Sequence, residues 1–201
     1  MTLGRTVRVL SLLVLAIGVA TGCAKVPTEE IAAADQAMQA AIVSEAEVYA
    51  PAAWTTAQDA RAQLDTELKA QEESFALTRS YEHAKTLAAD VKSAAEQAAA
   101  DAETTKETVR VEVAGLIEEA KASLDDARAM LANAPQGKGT AADLAALEAD
   151  ARSTEDYLAE ADREYQAGNY MEARAKAEAA LVELDKVKAE IQGAQNARRG
   201  A

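Results

Sequence analysis

The chain has 201 residues, with 34 acids against 21 bases and a formal net charge of −13. A negative excess of that size repels nucleic acid and anionic headgroups, which argues against DNA or RNA as a partner. One cysteine allows no internal disulfide, and one histidine with one cysteine supplies neither a zinc set nor a convincing catalytic triad.

Residues 1–8 carry Arg5 and Arg8 and no acid, and residues 9–20, VLSLLVLAIGVA, are apolar apart from Ser11. Ala20, Thr21 and Gly22 then lead to Cys23. A basic start, a short apolar run and a small-residue exit describe a secretory signal peptide, and the run is shorter than the roughly 20 residues of a membrane span. Ala20-Thr21-Gly22-Cys23 resembles the lipobox of bacterial lipoproteins. That resemblance implies cleavage after Gly22, diacylglycerol on the Cys23 sulfur and an acylated new N-terminus. Two other readings stand beside it, a free thiol and an uncleaved signal anchor; an exported chain with one unpaired thiol would carry a reactive liability. Ala24 is not Asp, so in a host with two membranes the same resemblance implies an outer-membrane anchor facing the periplasm.

Removing residues 1–22, and with them two bases, leaves 179 residues with 19 bases against 34 acids, a net charge near −15. Ala fills 50 of those positions, and Leu, Ile, Val and Phe together only 26. So few large apolar residues at high charge would suit a disordered chain, but their spacing does not. Ala84, Ala88, Val91, Ala95, Ala98 and Ala102 step by four and three, a heptad seam built mainly from alanine. Val109, Val113, Leu116, Ala120, Leu124, Ala127 and Leu131 continue it with a drift in phase. Alanine has the highest helix propensity, so these tracts favour helix before any packing.

Breakers divide the helical tracts. Pro27 precedes an acidic start at Thr28-Glu29-Glu30, and Pro51 fits a helix's first turn rather than its middle. The phase shifts in FALTRSY (75–81), NAPQGKGT (133–140) is a loop, and Gly168-Asn169 is a short turn. Five helices are predicted, at 28–49, 51–76, 79–133, 140–167 and 169–195. SYEHAKTLAADV (80–91) also lines up with NYMEARAKAEAA (169–180) at an offset of 89, placing Tyr81, Ala84 and Ala88 over Tyr170, Ala173 and Ala177. Internal duplication and biased composition both account for such a match. The predicted fold is all-α: an elongated antiparallel helical bundle of two tandem three-helix units sharing a long central helix. Its divisions are a signal peptide (1–22), a lipidated tether (23–28), a first helical unit (29–105) and a second (106–197).

The lipobox, PTEEI, Tyr49-Ala50-Pro51 with Trp54, and Tyr81 with Ala84 and Ala88 together resemble the domain-of-unknown-function helical lipoproteins of bacterial envelopes. The resemblance covers roughly residues 23–100 and implies helical hairpins at an envelope membrane, with no known activity attached.

His83 reads as an exposed or half-buried helix residue, and the pairs Glu118-Glu119 and Asp125-Asp126 as solvated surface. No Gly-rich phosphate loop or EF-hand pattern occurs in the sequence. The expectation is therefore a non-enzymatic chain without cofactor or metal, with a structural or adaptor role, attached to the membrane through Cys23 and contacting a protein partner in the envelope. Tyr157, Tyr165 and Tyr170 are the candidate contact residues, since aromatics concentrate interface energy. The alternative is a helical-repeat module holding a peptide or extended ligand in a groove lined by the same tyrosines. Cys23→Ser is expected to abolish incorporation of radiolabelled palmitate in growing cells; label retained by that variant would refute the anchor.

Overall fold

The computed structural model describes residues 25–134 and 141–199. Among them the chain is all α, in six helices: α1 (Thr28–Val43), α2 (Ala46–Tyr49), α3 (Pro51–Glu73), α4 (Glu82–Ala132), α5 (Ala141–Ala167) and α6 (Tyr170–Arg199). No helix among the described residues is long and apolar enough to cross a membrane. Residues group into two compact units that meet between Glu103 and Thr104, so α4 contributes to both.

In the first unit a core forms from Ala34 of α1, Leu64 of α3, and Tyr81, Ala84, Leu87, Ala88 and Val91 at the start of α4. Ile31, Met38, Ala60 and Leu68 pack around it. The alanine seam is the inward stripe of α4: Ala84, Ala88, Val91, Ala95, Ala98 and Ala102 all lose their solvent exposure entirely. A methyl group removes little area from water, on the order of 0.8 kcal/mol per buried carbon. What alanine permits is close approach, toward the short end of the usual 8–10 Å between helix axes.

Pro51 occupies the first turn of α3, where its missing N–H costs nothing, and the Trp54 amide donates to the Ala50 carbonyl at 2.9 Å. The predicted helix 28–49, however, is broken. Glu45 takes a left-handed backbone (φ 59°), and the Ser44 amide and hydroxyl turn back onto the carbonyls of Ala40 and Ala41. The cause is phase. Ala34, Ala37 and Ala41 form the inward stripe of α1. An unbroken helix would next have turned Ser44, Glu45 and Val48 inward. The break re-phases the chain, so that Ala46 and Tyr49 are buried and Val48 is exposed.

The junction between α3 and α4 is also longer than predicted. α3 ends at Glu73 and α4 begins at Glu82. Ser74 is extended, and side chains bond the backbone around this junction: Arg79 donates to the Ser74 and Glu72 carbonyls, and Gln71 Oε1 accepts the Ser80 amide.

In the second unit the core joins Ala120, Leu124 and Ala127 of α4 with Leu147, Ala151 and Leu158 of α5 and Ala180, Leu184, Val187 and Ile191 of α6. Val109 and Val113 are buried, but the seam then passes through Ile117, and Leu116 is only half-buried. A straight helix drifts about 20° per heptad from a 3.5-residue repeat, which is enough to exchange one neighbour for the next. Of the predicted loop at 133–140, residues 135–140 lie outside the described residues. α5 and α6 meet at a tight turn in which the Asn169 amide donates to the Glu164 carbonyl (2.9 Å) and the Gly168 amide to that of Tyr165 (3.1 Å). Gly168 supplies the left-handed residue this cap requires, at φ 87°.

The seam gives a paired expectation. Ala88 is fully buried and its neighbour Ala89 is exposed. Ala88→Leu should destabilise by about 1–3 kcal/mol through overpacking, while Ala89→Leu stays within about 0.5 kcal/mol of the parent. Equal effects in denaturant unfolding would contradict a tight alanine contact.

Candidate functional site

The three candidate tyrosines do not form one surface. Tyr165 closes α5 and Tyr170 opens α6, and the turn at Gly168 brings their rings to 5.3 Å between centroids, tilted by 56°. Both are half-buried. Such tilted pairs are a favoured aromatic geometry. Arg110 of α4 donates through Nη1 to the Tyr165 hydroxyl at 3.3 Å and grips Glu107 through Nε and Nη2 at 2.8 and 2.6 Å. Those bonds raise the Arg110 pKa above its ordinary value, with the Glu107 carboxylate the larger cause. Tyr157 stands apart, 48% exposed, eight residues and about 12 Å of helix before Tyr165.

Polar pairs also join the helices that carry the two rings to each other and to α4. Arg174 meets Glu112, Lys176 meets Glu160 at 2.6 Å, and Asn169 donates to the Glu164 carboxylate at 2.8 Å. Exposed pairs of this kind contribute roughly 0–1 kcal/mol each. The arrangement offers two paired rings and a tyrosine hydroxyl held by Arg110.

His83 is exposed on α4, beside a shallow groove lined by Ala62, Gln63, Thr66, Glu67 and Leu87. The Thr66 hydroxyl there donates to its own helix at the Ala62 carbonyl (2.8 Å), and Glu67 accepts from Gln71 (2.9 Å). Glu118-Glu119 and Asp125-Asp126 are exposed on α4, with Glu118 paired to Lys121 at 3.1 Å. Among the described residues no three His, Cys, Asp or Glu side chains gather as a metal site. Cys23 lies outside the described residues. Trp54, Tyr49 and Tyr81 are buried in the first unit.

Two polar residues escaped the sequence reading. Ser123 is buried and accepts from Lys188 Nζ at 2.9 Å, and Thr154 is fully buried with its hydroxyl returned to the Asp150 carbonyl at 2.9 Å. Their only sequence signal is a hydroxyl residue at a position where the α4 or α5 stripe faces inward. Comparison with family models, curated proteins and solved structures finds no match to the chain.

The Lys176–Glu160 pair links α5 to α6. The hydrogen bond from Lys176 holds the Glu160 carboxyl below its ordinary value near 4.5, and the same bond holds the ammonium above its ordinary 10.5. A carboxyl lowered on folding stabilises the native state above its unfolded pKa, and that contribution is lost as pH falls through the folded value. The difference in Tm between the parent and Lys176→Met should therefore shrink between about pH 6 and about pH 3. A gap that stays constant in thermal melts across that range would remove the pair from the pH response.

Proposed function

We propose that this chain is a lipid-anchored, non-catalytic protein of the bacterial cell envelope with a structural or adaptor role, of the helical-lipoprotein kind that its lipobox and Tyr49-Ala50-Pro51 turn resemble. The observation that carries this reading is the lone cysteine. It follows a basic start, an apolar run and a small-residue exit, and it precedes the first residue of α1, Thr28, by five positions. A chain with no other use for cysteine has it where an acyl transfer would need it. Several acyl chains at one point anchor stably where a single chain does not. The acidic surface keeps the helices off anionic headgroups, so the lipid supplies the attachment.

The partner is a protein of the outer-membrane or periplasmic envelope with a basic or neutral face. Exposed Tyr157 and the half-buried pair Tyr165–Tyr170 support contact on the second unit. The pairing of two of the three rings favours a flat contact over a groove built to hold a peptide. Exposed charges are screened beyond about 8 Å at physiological ionic strength, so the contact should weaken as salt rises.

In-cell crosslinking of the full chain, followed by density-gradient fractionation, tests both parts. The expected result is co-fractionation with outer membrane and a crosslinked partner whose yield falls with Tyr157→Ala and with added salt. Recovery of the native chain in the soluble fraction would overturn the anchor. Turnover of a small substrate that is lost in His83→Ala would overturn the non-catalytic role.

A further inference from the structure

Phe75 is the only phenylalanine in the chain, and it is 70% exposed; Leu77, two residues on, is 80% exposed. In a chain this poor in large apolar residues, two at one loop tip call for a reason. The loop is not slack. Arg79 reaches back to the Ser74 and Glu72 carbonyls at 3.0 and 2.8 Å, the Thr78 amide donates to the Phe75 carbonyl at 2.8 Å, and the Ser80 amide donates to Gln71 Oε1 at 3.0 Å. These bonds close the loop on itself and leave Phe75 and Leu77 facing water.

The same end of the first unit receives the chain from its N-terminal side. Lys25 and Val26 line one cleft together with Arg79 and Tyr81, and Glu30 of α1 pairs with Lys85 of α4 at 3.0 Å. Cys23 precedes Lys25 by two residues, a reach of at most about 7 Å. A group carried on Cys23 would therefore be tethered within two residues of the cleft that Arg79, four residues after Phe75, helps to line.

We propose that Phe75 and Leu77 insert into the headgroup boundary of the bilayer that holds the Cys23 acyl chains, so that the first unit stands on the membrane by its loop as well as by its lipid. This rests on the proposed acylation of Cys23. Aromatic and aliphatic side chains at a loop tip belong at that boundary, and a covalent tether raises the effective concentration of lipid so that a small apolar contact is enough. The contact is apolar rather than electrostatic. Lys25, Arg79 and Lys85 at this end are matched by Glu29, Glu30 and Glu82, with Glu72 and Glu73 close by in sequence, so zwitterionic lipid suffices.

The test uses the full lipidated chain in vesicles of phosphatidylcholine brominated on its acyl chains, a quencher confined to the bilayer. Phe75→Trp places an indole at the tip. Val43→Trp places one at the last residue of α1, 73% exposed and about 22 Å along the helix from its start. Buried Trp54 supplies the same background in both. The expected result is a blue shift and loss of most of the added emission for Phe75→Trp, with Val43→Trp unchanged, in vesicles with no anionic lipid. Emission from Phe75→Trp that stays red and unquenched in an acylated, vesicle-bound chain would overturn the insertion and leave the anchor standing. Emission that is blue-shifted but unquenched would also overturn it, by showing that a protein partner or a second copy covers the loop. A Cys23 peptide without acyl mass in mass spectrometry would overturn the anchor and the insertion together.

Discussion

Close approach of helices through alanine is the constraint on which the rest of this structure depends. An alanine methyl contributes little burial by itself, and a helix lined with alanine gains its stability from the number and continuity of contacts. Continuity demands uninterrupted helix, which α4 provides over 51 residues from Glu82 to Ala132. It also demands strict phase, so that the inward stripe of α4 stays buried from Ala84 to Ala127, with Val91, Val109, Val113, Ile117 and Leu124 taking the places along it where the packing leaves room for more than a methyl. The turns answer to the same demand. Glu45 adopts a left-handed backbone because the stripe of α1 would otherwise bring Glu45 and Val48 inward, and Gly168 allows a reversal short enough for α5 and α6 to pack along their length.

The large side chains are used where the seam cannot hold the units alone. Tyr49, Trp54 and Tyr81 are buried near the helix junctions of the first unit, and Leu184, Val187 and Ile191 fill the second beside Leu147 and Leu158. The charged residues run along the outer faces as short-range pairs such as Arg61–Asp65 and Lys186–Glu183. Such pairs select helix and solubility more than stability. Of the large apolar residues left in water, Leu77, Val43 and Phe75 are the most exposed, and Phe75 and Leu77 share one loop.

The proposed anchor and the proposed loop contact are linked by chain length. Few residues separate Cys23 from the ordered helices, so lipid attached there would act on a defined end of the first unit rather than at the end of a long leash. The first unit would then be oriented relative to the bilayer, with its acidic faces presented to the compartment rather than to headgroups of like charge.

Local chemistry determined the helices. Alanine propensity, the four-three spacing from Ala84 to Ala102, Pro51 at a first turn and Gly168 after a last one could all be read from neighbours in the chain, because propensity, periodicity and capping are properties of a few adjacent residues. The lone cysteine behind an apolar run is equally local, and so is the functional proposal that rests on it. Tertiary structure decided what depends on two helices at once. It chose Ile117 over Leu116, since the drift of a straight helix against its neighbours is not written in the spacing. It broke α1 at Glu45, where local propensity favours continuing and burial of Ala46 and Tyr49 does not. It paired Tyr165 with Tyr170 and left Tyr157 outside, and it buried Ser123 against Lys188, a partner 65 residues away. Residue type alone is silent on these choices, because each is made by the shape of the space that the opposing helix leaves.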